Sequence, residues 1–325
     1  MVRFGIVGAG GIAKKFARDI KLVENAKLVA VSARDEERAR KYKKEYDVPF
    51  SFSSYLDMAK SDEIDAVYIA TPHSFHYEQA IMFMNHKKHV LVEKPISVNL
   101  KQLNEMINIA KVNNVLLMEA MWTYFLPATS YIEELVHHGD LGELREAHIN
   151  FGYSLIEDYP KEKRLLNPNL AGGSILDIGV YPISFYHLIR KSNIKNIQAK
   201  AIFTETLVDA SCDIEIEEEN GAKIYIKSSI TENLDNNAEL IFEKSKVTMI
   251  DFSRCNTVFV DNTKFNIPYE GEGFVHQIRS FSESISKGET ENPIMTHQAS
   301  RNTVETMDLV RKLINLKYPF EIINH

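Results

Sequence analysis

The chain has 325 residues, of which 44% are hydrophobic and 26% charged, with a formal net charge of −7. This is ordinary globular composition, long enough for two domains, and its negative balance argues against nucleic acid, whose phosphates demand a basic face. No apolar stretch can span a bilayer and no secretion leader opens the chain, while two cysteines are too few for a disulfide framework, so a cytoplasmic protein with no membrane partner is expected.

Val2 to Val7 reads as a short buried strand, and Ile12 to Ile20 as the start of a helix. Between them lies G-x-G-x-x-A, with Gly8, Gly10 and Ala13 at its fixed positions. Gly8 permits the tight turn. Gly10 lacks a Cβ, so a pyrophosphate can approach the backbone beside Gly11 and Ile12. Ala13 lets helix and strand pack closely. The helix N-terminus then offers free N–H groups and a partial positive charge. The spacing predicts a dinucleotide site; a merely structural strand–turn–helix is the other reading.

Lys27 to Ser32 is a second strand, followed by a helix from Asp35 to Tyr46, a short strand Phe50 to Phe52 and a helix near Tyr55. Ala66 to Ala70 is a strand, His73 to Asn85 a helix, His89 to Val92 a strand, Leu100 to Val112 a helix and Val115 to Met118 a strand. Strands alternating with helices predict a parallel, doubly wound sheet with its ligand beyond the carboxyl ends.

The second strand ends Val31-Ser32-Ala33-Arg34, with no acid at its tip. The Ser32 hydroxyl and the guanidiniums of Arg34 and Arg38 suit a 2′-phosphate, which favours NADP over NAD. A solvated Arg34 beside Asp35 is the competing reading, and Asp35 can still reach a ribose.

The strand from His89 runs into Glu93-Lys94-Pro95, where Pro95 ends the ladder. Lys94 thus projects at the carboxyl edge. The residues alone leave it as either a carrier of charge and protons or a surface Lys paired with Glu93. Farther on comes Gly172-Gly173-Ser174-Ile175-Leu176-Asp177-Ile178-Gly179-Val180-Tyr181. Asp177 follows Ser174 in capping-box style, and Pro182 demands a new helical segment or a kink. On a helix Asp177 and Tyr181 share a face. A phenol can give a proton to an alkoxide, and a nearby Lys⁺ lowers its pKa. Spacing alone reads more simply as a cap and a packing residue.

From Leu144 the pattern changes. Leu144 to Tyr153, Ile197 to Glu205, Ser211 to Glu217, Lys223 to Ile230, Ala238 to Phe242, Lys246 to Ile250 and Thr257 to Val260 read as consecutive strands, hence an open, largely antiparallel sheet. Phe274 to Ser286 and His297 to Leu316 read as amphipathic helices. The boundary falls near Glu119 to Met121, dividing a Rossmann domain, 1–119, from an α+β domain, 120–325. Trp122, Phe125 and Phe151 are candidates for a substrate pocket or for ordinary core. Arg164 sits in a polar loop before the Gly-Gly turn, where it either contacts substrate or cofactor or is simply exposed. No set of residues has credible metal spacing.

Taken together, GIVGAGGIA, YIATPHSFH, HVLVEKP, EAMWTYFLPA and GGSILDIGVYP resemble the glucose–fructose oxidoreductase/inositol dehydrogenase (Gfo/Idh/MocA) family. The segment EAMWTYFLPA is most similar to the branch containing dimeric dihydrodiol dehydrogenase and NADP-dependent sugar dehydrogenases. The resemblance implies that Lys94 lies near substrate and nicotinamide, next to Glu93. It implies that Asp177 and Tyr181 are the D-x-G-x-Y catalytic pair and that Thr71, Pro72 and His76 line the cofactor site. It also implies a substrate-binding second domain whose outer sheet face forms a homodimer or higher homo-oligomer. The expected activity is NAD(P)-dependent hydride transfer at a secondary alcohol or carbonyl of a sugar, polyol or cyclic diol. A non-catalytic dinucleotide-binding sensor is the alternative.

Overall fold

The computed structural model describes residues 1–156 and 158–322, and contacts divide it into two compact units. The first comprises Met1–Trp122 with Glu270–Arg301; the second comprises Thr123–Tyr269 with the segment from Asn302.

In the first unit, β1 (Val2–Val7), α1 (Gly11–Asp19), β2 (Ala26–Ser32), α2 (Glu36–Tyr46), β3 (Phe50–Phe52), α3 (Tyr55–Lys60), β4 (Ala66–Ile69), α4 (His76–Asn85), β5 (His89–Glu93), α5 (Leu100–Asn113) and β6 (Leu117–Ala120) alternate along the chain. All paired strands are parallel, in the order β3-β2-β1-β4-β5-β6. That is the doubly wound dinucleotide-binding order, which reverses direction between β1 and β4. The strands are apolar because the sheet is covered on both faces: Phe4, Ile6, Val67, Tyr68, Leu91 and Val92 are fully buried. Phe16 of α1 stacks on Tyr68 with ring centroids 4.0 Å apart.

β6 begins two residues later than the sequence predicts. Asn114 takes a left-handed conformation (φ 54°) that ends α5, and pairing then runs from Val90↔Leu117 to Glu93↔Ala120. Glu119 is thereby a strand residue rather than a linker. Likewise His73–Phe75 form a 3₁₀ turn ahead of α4 instead of its first turn.

In the second unit, α6 (Pro127–His138) precedes β7 (Leu144–Gly152), and α7 (Val180–Ile189) precedes β8 (Ile194–Phe203), β9 (Asp209–Glu218), β10 (Lys223–Ser229), β11 (Ala238–Phe242), β12 (Lys246–Ile250), β13 (Thr257–Val260) and β14 (Thr263–Asn266). The sheet order is β14-β13-β12-β11-β7-β10-β9-β8; only β7 and β10 pair in parallel among the described residues. Side chains alternate as a one-sided sheet requires. Ala147, Ile149, Cys212, Ile214, Ile224 and Ile226 are buried, while Arg145, Asp213, Glu215 and Lys223 are exposed. The sequence reading omits β14, whose TKFN has no apolar alternation.

The chain continues through α8 (Val275–Ser286), α9 (His297–Leu313) and α10 (Pro319–Ile322). A single cut at residue 119 therefore does not describe the packing. α8 belongs to the first unit, where Phe281 lies 5.6 Å from Phe4. The buried Asp19 carboxylate also accepts the N–H groups of Glu272 (2.9 Å) and Phe274 (2.8 Å). Among the described residues, no helix is long and apolar enough to cross a membrane.

Candidate active site

The β1–α1 turn is built for an anion. Gly8 has φ +97°, and a Cβ there would lie 2.8 Å from the Ala70 carbonyl oxygen, so only glycine fits. Its N–H donates to the Ser32 carbonyl at 2.8 Å, fastening the turn to β2. Gly10 is the extended N-cap of α1 and offers no side-chain cap. The first N–H groups of the helix are therefore left for another partner. A Cβ on Gly10 or Gly11 would meet nothing within 4 Å. That open space, under uncapped donors, fits a pyrophosphate. Ile12 is half-buried beside it. Ala13 is fully buried, and its carbonyl accepts the Tyr42 hydroxyl at 2.6 Å.

The tip of β2 carries the candidates for the adenosine ribose and its phosphate. Ser32 is fully buried, and its hydroxyl has no partner among the described residues. Asp35 caps α2, its Oδ1 accepting the Arg38 N–H at 3.1 Å. Arg34 and Arg38 are exposed. The Arg34 guanidinium lies over the Phe75 ring, 5.4 Å from its centroid, a cation–π shelf that no spacing in the chain predicts.

The loops after β4 and β5 are tied together by His76. This ring is fully buried, with Nε2 2.8 Å from the Thr71 carbonyl oxygen and Nδ1 2.9 Å from that of Pro95. Burial pushes its pKa down to about 3, so the neutral ring donates to one of the two. His76 thus clamps the two loops to each other. Thr71 and Pro72 remain half-exposed, and the Thr71 hydroxyl donates to Gln79 at 2.6 Å.

Glu93 also turns inward: it is buried and accepts the Tyr68 hydroxyl. Lys94, joined to Pro95 by a cis peptide, is the one residue from Val90 to Val98 that is not buried. Trp122 is stacked on Phe274 at 5.6 Å and 9°, so it is held as core.

In the second unit, Ile175–Gly179 form a π-helical turn that runs into α7. Pro182 near the start of α7 cannot donate a helical hydrogen bond, and the wide turn before it accommodates that loss. Asp177 lies within this turn. Both its carboxylate oxygens are taken by Arg164: Nη1 meets Oδ1, and Nη2 lies 3.3 Å from Oδ2. Asp177 is buried and Arg164 half-buried. The Asp177 charge holds the guanidinium pKa above its usual value. Arg164 is therefore a structural partner of the catalytic candidate, not a free surface residue.

The cap comes from Asp209, which the sequence reading missed. Its Oδ2 accepts the Ile175 N–H at 2.6 Å. Gly173 has φ +111°, and a Cβ there would strike Asp209 Oδ1 at 2.1 Å. Tyr318 closes the turn from the other side, donating to the Gly172 carbonyl at 2.7 Å. Tyr181 is half-buried, edge-on to Phe151 with centroids 5.2 Å apart. Phe151 and Phe125 are buried.

Residues 2–121 match the oxidoreductase family with an NAD-binding Rossmann fold, and residues 129–248 match the GFO/IDH/MocA C-terminal domain. The chain is 32% identical to scyllo-inositol 2-dehydrogenase (NADP(+)) IolU of Bacillus subtilis, covering 98% of this chain and 99% of that one. It is 30% identical to trans-1,2-dihydrobenzene-1,2-diol dehydrogenase of Sus scrofa, covering 98% of each. The fold is similar to that of KijD10, a 3-ketoreductase from Actinomadura kijaniata solved with NADP and TDP-benzene. The TM-score is 0.88 at 22% identity, over 96% of this chain and 98% of that one.

Proposed function

The chain belongs to the Gfo/Idh/MocA oxidoreductase family, and we propose that it transfers hydride between NADP and a secondary alcohol or carbonyl of a sugar, polyol or cyclic diol. The substrate class follows two relatives that span the whole chain, one named for a diol and one for an inositol.

Gly10, Gly11 and the N-terminus of α1 would hold the pyrophosphate. Thr71 and Pro72 would flank the dinucleotide, and Arg34 and Arg38 would take the 2′-phosphate, which favours NADP over NAD. The nicotinamide, when bound, supplies or accepts the hydride. In oxidation Tyr181 takes the proton of the substrate hydroxyl. The Lys94 ammonium attracts the same oxygen and favours the phenolate. In reduction these groups run in reverse. Asp177, with both oxygens on Arg164, fixes the segment that carries Tyr181. Phe151 supplies an apolar wall beside the phenol.

The observation that carries this reading over a non-catalytic sensor is Lys94, the one residue of an otherwise buried turn that is not itself buried, within a chain whose relatives are named dehydrogenases. We further propose a cytoplasmic homodimer formed through the exposed face of the second sheet, where His148 stacks on Tyr225 at 4.9 Å. The activity is tested by incubating the protein with polyols, sugars and cyclic diols plus NADP⁺ or NAD⁺ and following absorbance at 340 nm. A rise with at least one of them, faster with NADP⁺, is expected. Tight cofactor binding with no turnover on any of them would favour the sensor.

A further inference from the structure

Behind Lys94 lies a second carboxylate that the proposed chemistry does not use. Glu119 is 1% exposed. Its Oε1 accepts the Ile96 N–H at 3.1 Å, two residues beyond Lys94. Its Oε2 accepts the Ser300 hydroxyl at 2.7 Å, from the first turn of α9. β6 pairs Glu119 with Val92 and Ala120 with Glu93, which puts this carboxylate directly beside the strand end that delivers Lys94.

A glutamine would satisfy the same partners. Its amide oxygen can accept from Ile96, and its amide nitrogen can donate to the Ser300 oxygen. Packing and hydrogen bonding therefore do not require the charge, and burying a charge is costly. What the charge adds is an electrostatic partner for a cation, and Lys94 is the cation within its field.

We propose that Glu119 is a positioning residue for Lys94: its carboxylate fastens the Lys94–Pro95–Ile96 turn to α9 through Ile96 and Ser300, and its charge is the counterpart of the Lys94 ammonium. The inference rests on the assignment of Lys94 above.

The groups around Glu119 are consistent with this role. From β5 come Glu93, whose charge opposes that of Glu119, and Lys94, which favours it. Tyr68 of β4 donates to Glu93. His76 of α4 is neutral. His297 of α9, whose Nε2 lies 3.1 Å from the Leu117 carbonyl oxygen, is kept below the ordinary histidine value by burial. Burial raises the Glu119 pKa to about 7, while Ser300, Ile96 and Lys94 pull it back. Its charge is thus set by burial against these three partners.

The test is Glu119→Gln, which keeps both hydrogen bonds and removes the charge. Two readouts are used: the pH profile of turnover, and the rate at which acetic anhydride labels Lys94 in cofactor-free protein at pH 7.5, followed by mass spectrometry. An acid limb near pH 7 is expected in the parent and absent from the variant, whose turnover is roughly tenfold lower throughout. Lys94 labelling should rise roughly tenfold, the change that one pKa unit gives an amine below its pKa. Unchanged labelling together with an unchanged pH profile would overturn the proposal. If Glu119→Gln does not fold, Ser300→Ala serves instead: loss of a donor to the charged form should move the acid limb to higher pH, and an unmoved limb would overturn the proposal. Lys94→Met separates the two claims. Full turnover in that variant removes Lys94 and Glu119 together, whereas an inactive Lys94→Met beside a Glu119→Gln that matches the parent removes Glu119 alone.

Discussion

Arg164 and Asp177, thirteen positions apart, meet fork to fork, Nη1 on Oδ1 and Nη2 on Oδ2, around a segment that contains the Gly172-Gly173 turn. The pair is asymmetric. The Asp177 side chain is 9% exposed and that of Arg164 36%, so each partner pays differently for losing the other.

Arg164→Met leaves a buried carboxylate uncompensated. Such losses run to about 3–5 kcal/mol, and partial exposure of the arginine reduces this to roughly 2–3. Asp177→Asn leaves a guanidinium that water can reach, and should cost about 1 kcal/mol. Both should lower kcat/KM by roughly 10- to 100-fold by loosening the turn that carries Tyr181. Thermal melts and steady-state kinetics check the order: Arg164→Met is the less stable variant, while both are slow.

Two glycines of the same motif should fail in different ways. Gly8→Ala forces a Cβ to 2.8 Å from the Ala70 carbonyl at φ +97°, and should destabilise the fold by about 1–3 kcal/mol. A Cβ at Gly10 meets nothing within 4 Å, so Gly10→Ala should melt like the parent but bind dinucleotide at least tenfold more weakly. Melting curves paired with cofactor titrations separate the two effects.

Arg34 and Arg38 should set the choice of cofactor. Each lost charge-assisted phosphate contact is worth about 1.5–3 kcal/mol. Arg34→Ala with Arg38→Ala should therefore weaken NADP⁺ by roughly 100-fold or more while changing NAD⁺ by less than about threefold. Fluorescence titration with both cofactors measures this directly.

The parallel sheet was legible because its strands are covered on both faces and so read as plain apolar runs. The same property hid which side each residue faces. Ser32 and Glu93 lie at the ends of such strands, and without polar–apolar contrast nothing in the sequence says that they point inward. Glu119 and Asp209 were illegible for another reason: a buried acid looks like a surface acid until its partners are known. Their partners, Ser300 and the Ile175 N–H, come from distant segments. Lys94 was legible because Pro95 fixes where the strand stops. Arg164 was not, since a lone arginine in a polar loop carries no sign of the carboxylate that it will meet.

Stability should depend on pH through two opposing sets of groups. Burial lowers His76 and His187 to about 3. Their contribution is complete above the unfolded value near 6.5 and is lost as pH falls toward 3, by at most about 1.4 kcal/mol per pH unit for each. Burial raises Glu119 and Asp209 to about 7. Their contribution is complete below the unfolded value near 4 and is lost as pH rises through 7. Between about pH 4.5 and 6.5 the two sets act in opposite directions, so their slopes partly cancel. Asp209→Asn removes one raised carboxyl and should make Tm fall more steeply on acidification. His187→Gln should tilt the slope the other way. Tm recorded from pH 4 to 8 in all three proteins checks the signs.

The most direct test of the proposed chemistry is Tyr181→Phe, which removes one hydroxyl and keeps the ring beside Phe151. On whichever substrate the parent oxidises with NADP⁺, the variant should lose at least 100-fold in kcat while its NADP⁺ affinity stays within about twofold, because a general acid–base is worth about 10²–10⁴ in rate. Turnover equal to that of the parent, with cofactor binding intact, would contradict the account.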